Sequence, residues 1–267
     1  MSLRAIPTLL KVGFAEAAAY RTEMVVWVLS TTMPLVMMLL WTSIADVAPV
    51  QGQLGASWSS ATFISYFLSV FIVRQLVAAW AAWEINFEVR QGTLALRLLR
   101  PLNPIVAFAT SNLAYLPLRG LVTLPVAIFL VATHRDALAT DWRAWALLPF
   151  TIFSAWAINF LVNVCVGALS FTLDSSLRVM DLWFALFFVF SGYLVPLDFF
   201  PPWLRDVAAW LPFRYVLALP VELMTGRLGF DDALRLVGAQ VAWVSGLGAL
   251  ATLLWTRGVQ RFQAFGG

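Results

Sequence analysis

Long apolar runs separated by short polar stretches dominate the chain. A helix rises 1.5 Å per residue, so about 20 apolar residues cross the hydrocarbon core of a bilayer. Six runs meet that length. They are 24–44, which carries no charge; 61–83, interrupted once by Arg74; 116–132; 144–171, long enough to tilt or project; 179–195; and 236–255. The stretch between the last two, 196–235, is too long for a simple turn and too apolar for a solvated loop, with Phe199, Phe200, Trp203, Trp210, Phe213 and Tyr215 among its residues. Pro201 and Pro202 suit the first turn of a short helix, Pro212 breaks it, and a second short helix over 213–224 stops at Gly226. Neither piece can cross, so both are expected to dip into the outer leaflet as re-entrant helices or to cover the mouth of the bundle. Residues 3–21 place Ile6, Leu10, Phe14 and Ala17 on one helical face and Arg4, Thr8 and Lys11 on another, the pattern of a helix lying flat in the membrane interface. The pattern predicts an all-α integral membrane protein, one domain over 1–267, with six transmembrane helices.

Composition agrees. Of 267 residues, 61% are hydrophobic and 12% charged, against about 25% charged in a soluble domain. The 13 Trp and 21 Phe suit the two interfaces. A lone Cys165 excludes an intrachain disulfide, and the net charge of +3 is spread between the apolar runs without a basic block that would point to nucleic acid. The first long apolar run begins only at Met24, so no cleavable signal peptide is expected. With the N-terminus inside, the inner segments hold Arg4, Lys11, Arg21, Arg90, Arg97, Arg100, Arg178, Arg257 and Arg261. The outer ones hold Arg135, Arg143, Arg205, Arg214, Arg227 and Arg235, and the first outer loop holds none. Early segments dominate orientation, which places both termini in the cytoplasm.

Several chemistries are excluded. The single lysine, Lys11, has no glycine loop before it, so this chain has no Walker-type phosphate site for ATP. His134 is the only histidine, which excludes a two-histidine zinc helix, and no nucleophile elbow is present. Asp231-Asp232, the one adjacent acidic pair, lies in an outer loop without metal-ligand spacing around it. The chain is not expected to be an enzyme.

Inside the spans, Arg74 needs a partner, because a charge at that depth costs about 2.5–3.5 kcal/mol on insertion scales; an ion pair with Asp181 at the start of the fifth span, or a stem that snorkels to the cytoplasmic headgroups, is expected ahead of a substrate contact. Asn159 and Asn163 share one helical face and suit interhelical hydrogen bonds. Arg119 is expected at the interface, with Trp80 and Trp83 marking its inner side. On the cytoplasmic side, Glu84 and Glu88 continue the second span beyond the bilayer, Gly92 ends it, and Thr93 is placed to cap a short helix over 94–99 that stops before Pro101. Leu94, Leu98 and Arg97 are expected to be exposed there, the composition of a helix that docks in a partner's groove.

The stretch Arg90-x-Gly92-Thr93-Leu94-x-x-x-Leu98-Leu99-Arg100-Pro101 resembles the coupling loop of ABC-2-type export permeases. A longer series resembles one subfamily of them: Ser191-Gly192-Tyr193-Leu194-Val195-Pro196-Leu197-Asp198-x-Phe200-Pro201-x-Trp203-Leu204, then Leu211-Pro212-Phe213-Arg214-Tyr215, Leu219-Pro220-Val221-Glu222 and Thr225-Gly226-Arg227. The resemblance covers essentially the whole chain. It implies a permease of a bacterial inner membrane that exports an amphiphilic or lipid-like substrate. It also implies two such chains, as a homodimer or with a paralogue, and two copies of a separate ATPase that carry the ATP and Mg. The segment from Gly192 and Pro196 to Glu222 would guard the outer exit. A lipid-modifying membrane enzyme or a non-catalytic assembly subunit are the alternatives.

Overall fold

The computed structural model describes residues 31–48, 50–53 and 55–262, together with Pro7, Thr8, Leu10, Lys11, Phe14 and Ala15. Those six are helical and exposed. The rest of the expected interface helix over 3–21, and the first part of the expected span over 24–44, lie outside the described residues.

Among the described residues the fold is helical apart from one two-residue strand pair. In chain order α1 is Met33–Ala45, β1 Val50–Gln51 and β2 Ser57–Trp58, paired antiparallel. Then come α2 Ser60–Leu76, α3 Ala81–Arg90, α4 Leu94–Leu98, α5 Pro104–Ala114, α6 Leu116–Thr133 and α7 Trp142–Leu169. The remainder is α8 Arg178–Phe190, α9 Pro202–Trp210, α10 Pro212–Val216, α11 Ala218–Met224 and α12 Phe230–Arg261. Among the described residues four apolar stretches are long enough to cross a membrane: Ser60–Arg90, Pro104–Thr133, Trp142–Leu169 and Phe230–Arg261. The described part of the first run, α1, has 13 residues, as does α8, which ends at Phe190, short of the expected end of the fifth run at Val195.

The stretches differ in what surrounds them. Buried residues make up 78% of the most apolar window in Ser60–Arg90 and 72% of that in Trp142–Leu169, but only 17% and 11% in Pro104–Thr133 and Phe230–Arg261. The first two are therefore the core, and the other two turn Leu121, Leu124, Ile128, Leu250 and Leu253 outward. Apolar side chains on that outer face are stable only against lipid or another chain. α7 is the central element: α3, α10, α11 and α12 all pack on it, while α1 and α6 pack on α2.

Ser60–Arg90 is not continuous. α2 ends at Leu76, residues 77–80 are non-helical, and α3 starts at Ala81. The expected apolar run over 61–83 falls within this stretch, but its helix is not continuous: the chain unwinds inside the bundle. An unwound segment at membrane depth survives only if its backbone groups find partners in the protein. Each of the neighbouring helices α5, α6 and α7 sends a side chain to it.

Candidate functional site

Four side chains clamp the break. Asn159 Nδ2 donates to the Val77 carbonyl at 2.8 Å, and Asn163 Oδ1 accepts from the Ala82 amide at 3.2 Å. Asn112 Oδ1 accepts from the Trp80 amide at 2.9 Å. Arg119 Nη1 donates to the Ala78 carbonyl at 2.7 Å and reaches the Gln75 carbonyl at 3.4 Å. Asn163 is itself oriented by donating to the Asn159 carbonyl at 2.9 Å. Asn159 and Asn163 thus make the interhelical bonds expected of them. Arg119, expected at the interface, is 9% exposed and turned inward onto the break. Asn112 is not among the residues expected here, although a polar side chain in an apolar setting is the signal that marks it.

Arg74 lies close before the break, 8% exposed, with its guanidinium 5.3 Å from the centre of the Phe187 ring. The expected pair with Asp181 is not formed. Asp181 sits in the first turn of α8 with its side chain exposed, while Arg74 meets the far end of that helix.

At the end of the stretch Ser60–Arg90, α3 closes at Gly92, whose φ of +74° is the left-handed turn that lets the chain reverse into α4. Arg97 grips Glu88 through two N–H groups, one of them Nε to Oε2 at 2.9 Å, and stacks 4.2 Å from the centre of the Phe108 ring. α4 is thereby fastened to α3 and α5. Arg90 Nε donates to Asn86 Oδ1 at 3.3 Å, and Asn86 Nδ2 donates to Ser176 Oγ at 2.9 Å, which ties α3 to the loop after α7. Two expectations fail. Thr93 makes no capping bond; its hydroxyl points back towards the Glu88 carbonyl at 3.5 Å, because its own backbone is already helical. Leu94 is fully buried and Leu98 half-buried, packed into the core, because α4 lies against the bundle rather than projecting from it. The free face carries Leu96, 65% exposed, Leu99, 83% exposed, and the exposed Arg100 and Pro101.

At the other end, the chain after α8 turns at Gly192, with φ +82°. Tyr66 donates its hydroxyl to the Gly192 carbonyl at 2.8 Å, and a methyl group on Gly192 would lie 2.6 Å from the Tyr66 oxygen. Pro196 leads into a single turn, Leu197–Phe199, whose Asp198 accepts from Trp58 Nε1 at 2.7 Å and pairs with Arg227 at 3.8 Å. Arg227 also stacks 3.3 Å from the centre of the Trp58 ring. Pro201 precedes α9, which carries the exposed Trp203 and Trp210. Pro212 opens α10, and the expected second short helix is divided at Leu217 into α10 and α11, with Pro220 in the first turn of α11. Arg214 on α10 pairs with Glu222 on α11 at 3.2 Å. Burial pushes the Glu222 carboxyl above the usual carboxylate range, and the Arg214 guanidinium opposes that shift. Gln240 Nε2 on α12 donates to the carbonyls of Tyr215 and Thr151, both at 2.9 Å, so this unit is anchored to α7 and α12.

No cluster of His, Cys, Asp or Glu able to hold a metal ion occurs among the described residues. No curated protein matches the chain. The family whose members are described as ABC-2 family transporter proteins matches over residues 28–266, nearly the full length, and takes in every element described above. The chain belongs to the ABC-2 transporter family, as a multi-pass membrane component of an ABC transporter.

Proposed function

We propose that the chain is the permease subunit of an ATP-driven exporter of amphiphilic or lipid-like molecules, with hydrolysis carried out by a separate ATPase that binds ATP and Mg. Two permease chains and two ATPase copies would form the complex, in a bacterial inner membrane, with six spans and both termini cytoplasmic. The observation that carries this reading is the α3–α4 corner. A chain with no phosphate-binding lysine must receive its driving force through a surface, and this corner is rigid inside and apolar outside. Arg97, Glu88 and Phe108 make it one body with α3, so a push on Leu96, Leu99 and Arg100 is carried into α3 rather than lost in a loop. The non-helical residues 77–80 lie between that body and α2. They are the natural hinge, since a break held by side-chain hydrogen bonds can change angle without tearing a continuous helical ladder.

The docking face is therefore Leu96, Leu99 and Arg100, in place of the Leu94 and Leu98 expected from sequence. Asp198, Arg227, Arg214, Glu222 and the exposed Trp203 and Trp210 belong to a lid over the outer end. The test is hydrolysis and transport by the purified permease–ATPase complex in proteoliposomes, with a panel of lipids, drugs and peptides. ATP-dependent, vanadate-sensitive movement of at least one amphiphile out of the ATPase-facing leaflet supports the reading. If the complex moved material only inward, the export direction would be wrong; if it chemically altered a lipid, the enzyme alternative would stand.

A further inference from the structure

Arg74 has no ordinary reason to be where it is. It is 8% exposed, and it forms none of the ion pairs and none of the side-chain hydrogen bonds found among the described residues. Its described surroundings include the Phe187 ring at 5.3 Å, and the Tyr193 ring lies 6.0 Å from Phe187, both on segments remote in sequence. A cation–π contact of this kind is a weak attraction, smaller than the penalty of burying an unpaired cation. A second cation makes the deficit larger. Arg119 is 9% exposed and reaches the carbonyl of Gln75, the residue next to Arg74, at 3.4 Å. Arg119 has a structural occupation, the clamp on the break. Arg74 has none. Two guanidinium groups thus share one region of the bundle, and neither is paired with a carboxylate among the described residues.

The position adds chemistry. Arg74 stands in the last turn of α2, and beyond the break Trp80 with Trp83 and Phe184 forms an aromatic group, with ring centres 5.1 and 6.1 Å apart along the series. Tryptophan pairs of this kind mark the headgroup level. With the topology proposed above, this end of α2 faces the inner headgroups, and the cation lies beside the Phe187 ring. A small inorganic anion would gain the charge but leave the apolar wall unused.

We propose that Arg74 is the binding residue for the anionic headgroup of an amphiphile drawn into the bundle from the cytoplasmic leaflet, with Arg119 adding to the positive field and Phe187 and Tyr193 enclosing the neck of the molecule. This names the substrate class of the transport reading and rests on it for its biological role, but the binding itself needs no ATPase. The headgroup carries a phosphate or another delocalised anion, which a guanidinium holds by two parallel hydrogen bonds.

The experiment uses the purified full-length chain alone, in neutral detergent, titrated with phosphatidylglycerol, phosphatidylcholine or inorganic phosphate. The thermal midpoint and lipid retention in native mass spectrometry are both read. The wild type should bind phosphatidylglycerol in preference to phosphatidylcholine and be stabilised by it, with no effect of inorganic phosphate. Arg74→Gln should lose that preference, with apparent affinity reduced roughly 10- to 100-fold, the worth of a hydrogen bond to a charged group. Its midpoint without lipid should equal or exceed that of the wild type, because an uncompensated charge has been removed. Arg74→Lys should keep the preference for the anionic lipid in weaker form. Equal retention of both lipids by the wild type would overturn the proposal, whatever the variants do. A midpoint for Arg74→Gln well below the wild type in the absence of lipid would make Arg74 a packing residue and overturn it as well. An equal response to inorganic phosphate would overturn the amphiphile. None of these failures touches the transport reading, which is judged by the complex with its ATPase.

Discussion

Replacing Asn159 with alanine removes one donor from the clamp and takes from the Val77 carbonyl the side-chain N–H it accepts. In a continuous helix that carbonyl would receive the amide four residues on, but the break displaces it. Asn159 is 6% exposed, so water does not readily replace the lost N–H. A buried carbonyl left unsatisfied costs about 1–3 kcal/mol. Interhelical hydrogen bonds between side chains in membranes average only about 0.6 kcal/mol, because the unfolded reference state also finds partners. The first figure should prevail, since the orphan here is a backbone group in a non-helical segment, and the expected loss is about 1–2 kcal/mol. At about 2–4 °C per kcal/mol for chains of this size the thermal midpoint falls by several degrees. Asn163→Ala should cost a similar amount by orphaning the Ala82 amide. The double variant should be non-additive, because both side chains act on one segment. Thr252→Ala is the control: its hydroxyl bonds the Gly248 carbonyl of its own helix on an exposed face, and its loss should stay within about 0.5 kcal/mol. The assay is thermal unfolding of the purified chain in one detergent. If Asn159→Ala melted with the wild type while both proteins were monodisperse, the break would not be held by this bond.

Further outcomes follow from the same contacts. Leu94→Asp buries a charge at a fully enclosed position and should abolish the folded protein, whereas Leu96→Asp with Leu99→Asp should leave the thermal midpoint unchanged and lower ATPase recruitment; gel filtration separates the two. Gly192→Ala forces a side chain into a left-handed turn 2.6 Å from Tyr66 Oη and should lower the midpoint by the equivalent of at least ~1 kcal/mol, with Tyr66→Phe in the same chain relieving part of it. Arg97→Lys keeps the charge but loses the two-pronged grip on Glu88 and the stacking on Phe108, so transport should fall more than ATPase binding, as read by hydrolysis and transport on one preparation.

Hydropathy alone locates the apolar stretches, because length and composition are window properties: the run 144–171 is the helix Trp142–Leu169, and 236–255 lies within Phe230–Arg261. The break is invisible to it, since Val77, Ala78, Ala79 and Trp80 contain no glycine or proline. What permits it are partners remote in sequence: Asn112 is 32 positions from Trp80, Arg119 is 41 from Ala78 and Asn159 is 82 from Val77. No local pattern encodes those. The same holds for the exposed face of α4. Five residues are too few for periodicity to say which side meets the bundle, and the answer is set by Phe108 and Glu88 on other helices. Proline positions, by contrast, place the starts of α9 and α10 well, because a ring that fixes φ and lacks an N–H acts locally. The split at Leu217 has no such marker.

The most direct measurement is a cross-link from the coupling face. With Cys165 replaced, a single cysteine introduced at Leu99 is treated with a short bifunctional reagent in membranes that contain the permease and its ATPase. A second single-cysteine chain, changed at Asp206 on the opposite end, serves as the comparison. The account predicts a covalent product joining the Leu99→Cys chain to a protein that carries a Walker-type ATP site, with a yield that changes when ATP is trapped by vanadate, and no such product from Asp206→Cys. If Asp206→Cys gave that product and Leu99→Cys gave none in membranes where the complex hydrolyses ATP, the drive would enter elsewhere and the central claim would be contradicted.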